Sequence, residues 1–245
     1  MQFDIEKHEI YLDFIEELNP IAIKFHEANK KEQNPVLSER EEFVFDIFQR
    51  LNEIDNKLKD LNYSIMFFSV YPNYKPWRSK ITRQEYIIYH LEYYYINIVA
   101  LFDRLLHLVN FIYDLGLADQ FVTLKSITTN KHVKKESIRI LKKIDKALRG
   151  IRNTQNKIKH KKKLQDKEMY YPSLLEFQDR QNMFEKYDKG LQKELKSEIN
   201  FFYRIYLNQK KKELENNNQA LGGAVKSLLD NILPIYKTRK SNSSE

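Results

Sequence analysis

The 245-residue chain contains no cysteine, which rules out a disulfide scaffold and Cys-ligated zinc and suits a reducing cytosol. It has only 5 Gly and 6 Pro, too few to supply the turns of an all-β fold, so long helices are favoured. There is no glycine-rich phosphate loop and no G-x-S-x-G elbow, which removes P-loop NTPases and α/β-hydrolases. The six histidines, His8, His26, His90, His107, His132 and His160, form no H-E-x-x-H or comparable ligand pair, so no metal site and no cofactor are expected. The first residues, "MQFDIEKHEIYLDF", are interrupted by acids and do not read as a signal peptide. The most apolar region, Tyr86 to Leu117, includes His90, Glu92, Asp103, Arg104 and His107, more polar groups than a bilayer-spanning helix ordinarily tolerates. No membrane is expected, and a cytoplasmic location follows as the expectation.

Hydrophobic residues make up 42% of the chain, enough for a substantial core. The net charge of +8 and pI of about 9.2 bias it mildly toward polyanions such as RNA, DNA or anionic lipid.

Residues 1–37 read as a loosely structured lead-in, interrupted at Pro20 and Pro35. Ser38 is placed to cap an amphipathic helix whose apolar positions are Phe43, Ile47, Leu51, Ile54, Leu58 and Leu61. "YPNYKPWRSK" is a loop whose Trp77, beside Lys75 and Arg78, offers either base stacking or loop packing. Thr82 caps the next helix, which runs from about Arg83 to Leu115, stops at Gly116 and is apolar around most of its circumference. A short helix in "DQFVTLKSITTN" precedes a helix of roughly thirty residues ending near His160. One or two further helices span Ser173 to about Asn216. "NNNQALGG" reads as a break, a short helix reaches Leu233, and residues 236–245 read as a disordered basic tail. The organisation expected is a lead-in (1–37), one helical domain (38–235, core about 83–165) and the tail, an all-α bundle with helical extensions at both ends.

Chemistry concentrates in "RGIRNTQNKIKHKKK", Arg149 to Lys163. A helical residue advances about 100°, so His160, seven residues after Asn153, lies within about 20° of it. Arg149 and Asn156 share that stripe, and Arg152 sits about 80° round, within reach of a long side chain. Lys157, Lys159 and Lys161 flank it. Arginine supplies bidentate contacts to non-bridging phosphate oxygens, and a histidine titrating near neutrality can move a proton to or from a 2′-hydroxyl or a leaving oxygen. The bland alternative is the solvated face of a Lys-rich helix.

The stretch "RNTQNKIKH" resembles the active-site motif of the HEPN family, helical domains of bacterial toxin–antitoxin, abortive-infection and CRISPR-associated proteins. That motif is an Arg followed by four to six residues, the first usually Asn, His or Asp, and then a His. The preceding "YYYINIVALFDRLLHLVNFIYDLGL" is similar to the apolar partner helix of a bacterial HEPN subfamily. Together they cover roughly residues 83–165. Seven residues separate Arg152 from His160, one more than the motif's usual upper limit. The resemblance implies an all-α, HEPN-like bundle and a metal-independent endoribonuclease acting as a toxin or antiphage effector. It further implies a homodimer with the active site at the interface, RNA as substrate and an antitoxin or defence-system partner. His160 would act on the 2′-hydroxyl or leaving group, Arg152 would stabilise charge on the phosphorane and Asn153 would orient either. Arg149, Asn156, Lys157, Lys159 and Lys161 would contact substrate. The alternative within the family is a non-catalytic module that binds RNA or nucleotide or serves assembly.

Overall fold

The computed structural model describes residues 4–71, 80–159, 164 and 166–243. Among them the secondary structure is entirely helical: α1 (Glu9–Leu12), α2 (Leu18–Lys30), α3 (Glu39–Phe68), α4 (Arg83–Ile112), α5 (Leu124–Thr129), α6 (Lys135–Lys159), α7 (Tyr170–Arg180) and α8 (Lys189–Asn242), with 3-10 turns between them. The starts are written in local chemistry. Ser38 and Thr82 each form a reciprocal cap with the Glu three residues on: Glu41 N donates to Ser38 Oγ while Ser38 N donates to Glu41 Oε2, and Glu85 and Thr82 repeat the pattern. Thr123 and Ser126 do the same for α5. Pro172 stands in the first turn of α7, where a missing N–H leaves no bond unmade.

The chain divides into two compact units, Met1–Lys59 with Ile98–Arg149 and Gln219–Glu245, and Asp60–Asn97 with Gly150–Asn218. In the first unit Val44, Ile47, Leu51 and Ile54 of α3, Leu101, Phe102, Leu105 and Leu108 of α4, Leu141 and Ile144 of α6, and Val225, Leu228 and Ile232 of α8 are buried. The lead-in is part of this core. Ile5, Ile10, Phe14 and Ile21 are buried, His8 Nε2 lies 2.9 Å from Asp230 Oδ1, and Lys237 bonds Glu9 at 2.5 Å. The expected disordered tail is also corrected: α8 continues to Asn242, Tyr236 is buried, and Lys240 bonds Asp13 at 2.7 Å and Glu17 at 2.5 Å.

The second unit buries Leu61, Ile65 and Phe68 of α3, Ile87, Leu91 and Tyr94 of α4, Leu175 of α7, and Ile199, Tyr203 and Tyr206 of α8. Glu176 ties it together, accepting from Tyr203 Oη at 2.7 Å and from Arg83 N at 3.0 Å. Here "NNN" is not a break. Asn218 accepts from Tyr94 Oη at 2.8 Å and donates to Asn62 at 3.0 Å, so a residue with weak helix propensity is held by tertiary partners.

The end of α4 differs from expectation as well. The helix stops at Ile112, Asp114 takes a left-handed φ of 52° and Gly116 another of 63°. Asn110 then closes the turn, donating through Nδ2 to Leu117 O (3.0 Å) and accepting from Leu117 N (3.2 Å). The Asn and Gly-Leu of the quoted apolar run therefore form one structural device.

Candidate active site

The expected site lies on the second half of α6. The helix buries Ile144, Leu148 and Gln155 on one side. On a 100° step Asn153 falls about 180° from Ile144, and Arg149 and Asn156 fall within about 60° of Asn153. Arg149, Asn153, Asn156, Lys157 and Lys159 are accordingly all exposed. Arg149 is the last residue of the first unit, and the others belong to the second. Arg152 stands on the flank, half-buried and engaged by neighbouring groups. His160 and Lys161 lie outside the described residues, as do Lys162, Lys163, Lys75, Trp77 and Arg78. The structure therefore brings Asn153, Asn156 and Lys157 onto one open face, with Arg152 at its edge. Gly150 does not mark close packing: a Cβ built there meets nothing within 4 Å, and the helix continues through it.

The chain is anchored just beyond the motif. Leu164 N donates to Glu92 Oε1 of α4 at 2.8 Å, and Asp166 accepts from Tyr206 Oη at 2.8 Å while capping Glu168 N at 3.1 Å. Burial, followed by the neighbouring Asp166 carboxylate, pushes the Tyr206 hydroxyl far above its usual range, so it acts as a fixed donor. Sequence reasoning missed this anchor because its partners lie 40 and 72 residues apart. The one local signal was Asp166, which precedes a short helical turn as a cap does. Lys210 is half-buried and bonded to Glu213 at 2.8 Å. Burial opposes its charge, but Glu213, Tyr95 and Asp166 hold it protonated.

Asp103 and Arg104 of α4 are both exposed, and Arg104 faces Glu53 at 3.4 Å. Of the three consecutive tyrosines, Tyr94 and Tyr95 are core, whereas Tyr93 is exposed. It belongs to an apolar stripe, Tyr89, Tyr93 and Ile96, that α4 presents to solvent. On α3 of the same unit Tyr63, Met66 and Phe67 are exposed too, as is Val70 just beyond its end, and the Phe67 ring lies 6.0 Å from that of His90. Among the described residues no three His, Asp or Glu side chains gather closely enough to hold a metal ion.

A family model, HEPN_Cthe2314-like HEPN, matches residues 50–232, about three quarters of the chain. The chain belongs to this HEPN family. The match extends well beyond the two helices that carry the resemblance, from the middle of α3 to near the end of α8, and the all-α architecture agrees with it. Comparison with curated proteins and with solved structures gives no match. One helix of this HEPN chain, Arg83–Ile112, is long and apolar enough to cross a membrane, yet 61% of its most apolar window is buried against protein.

Proposed function

We propose that this HEPN chain is a metal-independent endoribonuclease acting in the cytoplasm as a toxin or antiphage effector. The observation that carries the reading is Asn153 on the open side of α6 with Arg152 on its flank, inside the family-matched region and ahead of His160 in the sequence. In the reaction His160 takes the proton of the 2′-hydroxyl or gives one to the departing 5′-oxygen. Arg152 stabilises the charge that builds on the phosphorane, and Asn153 orients the imidazole or a phosphate oxygen. The product ends would be a 2′,3′-cyclic phosphate and a 5′-hydroxyl. Lys157, Lys159, Lys161, Arg149 and Asn156 would hold the flanking phosphates.

A single copy of α6 offers too few groups for acid, base and charge stabilisation together, so two copies are required in one cleft. The apolar stripe of α3 and α4 in the second unit supports that pairing, because soluble monomers rarely expose such a patch without a partner. A non-catalytic, RNA- or nucleotide-binding HEPN module is the second reading. The observation favouring it is Arg152 itself, half-buried, engaged and off the Asn153 stripe.

The test is cleavage of RNA in EDTA by the purified protein beside Arg152→Ala and His160→Ala. Cleavage by the wild type with cyclic-phosphate ends, lost in both variants and restored by mixing them, supports a nuclease with a composite site. RNA binding without cleavage selects the second reading.

A further inference from the structure

Helix α6 holds almost the entire charge surplus of the molecule. Its 25 residues carry nine Lys and Arg against two acids, Glu136 and Asp145, a surplus of +7 in a chain whose total is +8. The first half of that helix, in the first unit, presents Arg139, Lys142, Lys143, Lys146 and Arg149 to solvent. Arg139 bonds Glu136 at 2.6 Å. Lys142, Lys143, Lys146 and Arg149 make no ion pair among the described residues. On a 100° step these cations fall within about 60° of the Lys146 direction. They recur about once per turn, with like charges three and four residues apart, an arrangement that disfavours the helix unless an anion screens it.

We infer that this face, Arg139 to Arg149, is a docking track for the phosphate backbone of RNA. The inference rests on the nuclease reading for its biological sense but not for its physics. Charge complementarity selects a polyanion. The face also lacks what a protein partner needs: between Arg139 and Asn153 its only uncharged exposed residues are Ala147 and Gly150, with no aromatic or large aliphatic anchor. The same lack of aromatics removes base stacking, so recognition is by backbone phosphates and independent of sequence. The ligand class that follows is an RNA held through several consecutive backbone phosphates.

The test uses full-length protein and a 20-nucleotide 2′-O-methyl RNA, which has no free 2′-hydroxyl and survives whether or not the protein is a nuclease. Its affinity is measured against salt concentration for wild type, for Lys142→Gln/Lys143→Gln/Lys146→Gln, and for Lys30→Gln/Lys31→Gln/Lys125→Gln, which removes the same charge from exposed sites elsewhere. The expected result is a slope of log affinity against log salt shallower by about 2 for the α6 variant, from three lost phosphate contacts at roughly 0.7 each. Affinity at moderate salt should fall 10- to 100-fold, with the control near wild type. Thermal stability of the α6 variant should not fall, because like charges have been relieved. Equal slopes for wild type and the α6 variant, or equal losses in both variants, would overturn the track. Absence of cleavage in EDTA together with the slope change would sink the nuclease and leave the track standing.

Discussion

His90 shows how one side chain ties stability to pH. Its ring packs against Tyr86 (4.5 Å between centroids), Tyr89 (5.3 Å) and Phe67 in the second unit, and burial pulls its pKa below the ordinary histidine value. The folded state therefore prefers the neutral imidazole. Above about pH 6.5 both states are neutral and nothing is lost. Below it the unfolded chain takes up the proton first, so stability falls until the folded histidine titrates as well. Urea midpoints taken between pH 7.5 and 5 should decline, and His90→Gln should flatten that decline. An unchanged slope in the variant would assign the effect elsewhere. At this scale helical spacing alone sets Asn153 and Asn156 on one side of α6 and Arg152 off it, and Asn153 and Asn156 are exposed. Glu92, Asp166 and Tyr206 were not readable, because their pairing exists only once α4, the connector and α8 are packed.

At the scale of elements, Asn110 decides where α4 ends. Its amide closes the turn at Leu117 in both directions, across two residues with left-handed backbone. Asn110→Ala should cost about 1–2 kcal/mol, from two lost hydrogen bonds and main-chain groups left unsatisfied. Chemical denaturation reads the loss, and Asn110→Asp, which keeps the acceptor but not the donor, should recover part of it. The starts of α3 and α4 were legible because Ser38 and Thr82 are followed three residues later by Glu, and their interiors because Ile47, Leu51 and Ile54 or Leu101, Leu105 and Leu108 keep helical spacing. The stop of α4 and the continuity of α8 were not. Local propensity suggests a break at "NNNQALGG", whereas the hydrogen bonds of Asn218 and the burial of Leu221 and Val225 override it.

At the scale of the whole molecule, a set of ion pairs fastens the first residues to later segments of the first unit. Glu6 meets Lys59, His8 meets Asp230, Glu9 meets Lys237, and Lys240 bridges Asp13 and Glu17, the latter also held by Arg40. Burial opposes the charge on Asp13 and Glu17, but the bonds from Lys240, and from Arg40 to Glu17, prevail and hold both below the usual carboxylate range. With folded values depressed, their contribution is complete above about pH 4.5 and fades as pH falls through the folded values. Lys240→Met should cost about 1 kcal/mol at neutral pH and narrow the gap between stability at pH 6 and pH 3.5, as measured by thermal unfolding. No spacing in the sequence announces these pairs, since their members stand up to 228 residues apart.

The passage of four helices through both units has a consequence for how the molecule comes into being. The chain crosses between the units at Lys59–Asp60, Asn97–Ile98, Arg149–Gly150 and Asn218–Gln219, each time inside α3, α4, α6 or α8. Neither unit is a contiguous stretch of polypeptide, and a product that stops before Gln219 lacks a segment of the first unit. The first unit takes its final segment, Gln219–Glu245, from the end of the chain. Val225, Leu228 and Ile232 of that segment are buried in the first unit's core, so the core cannot close until the segment beginning at Gln219 has been made.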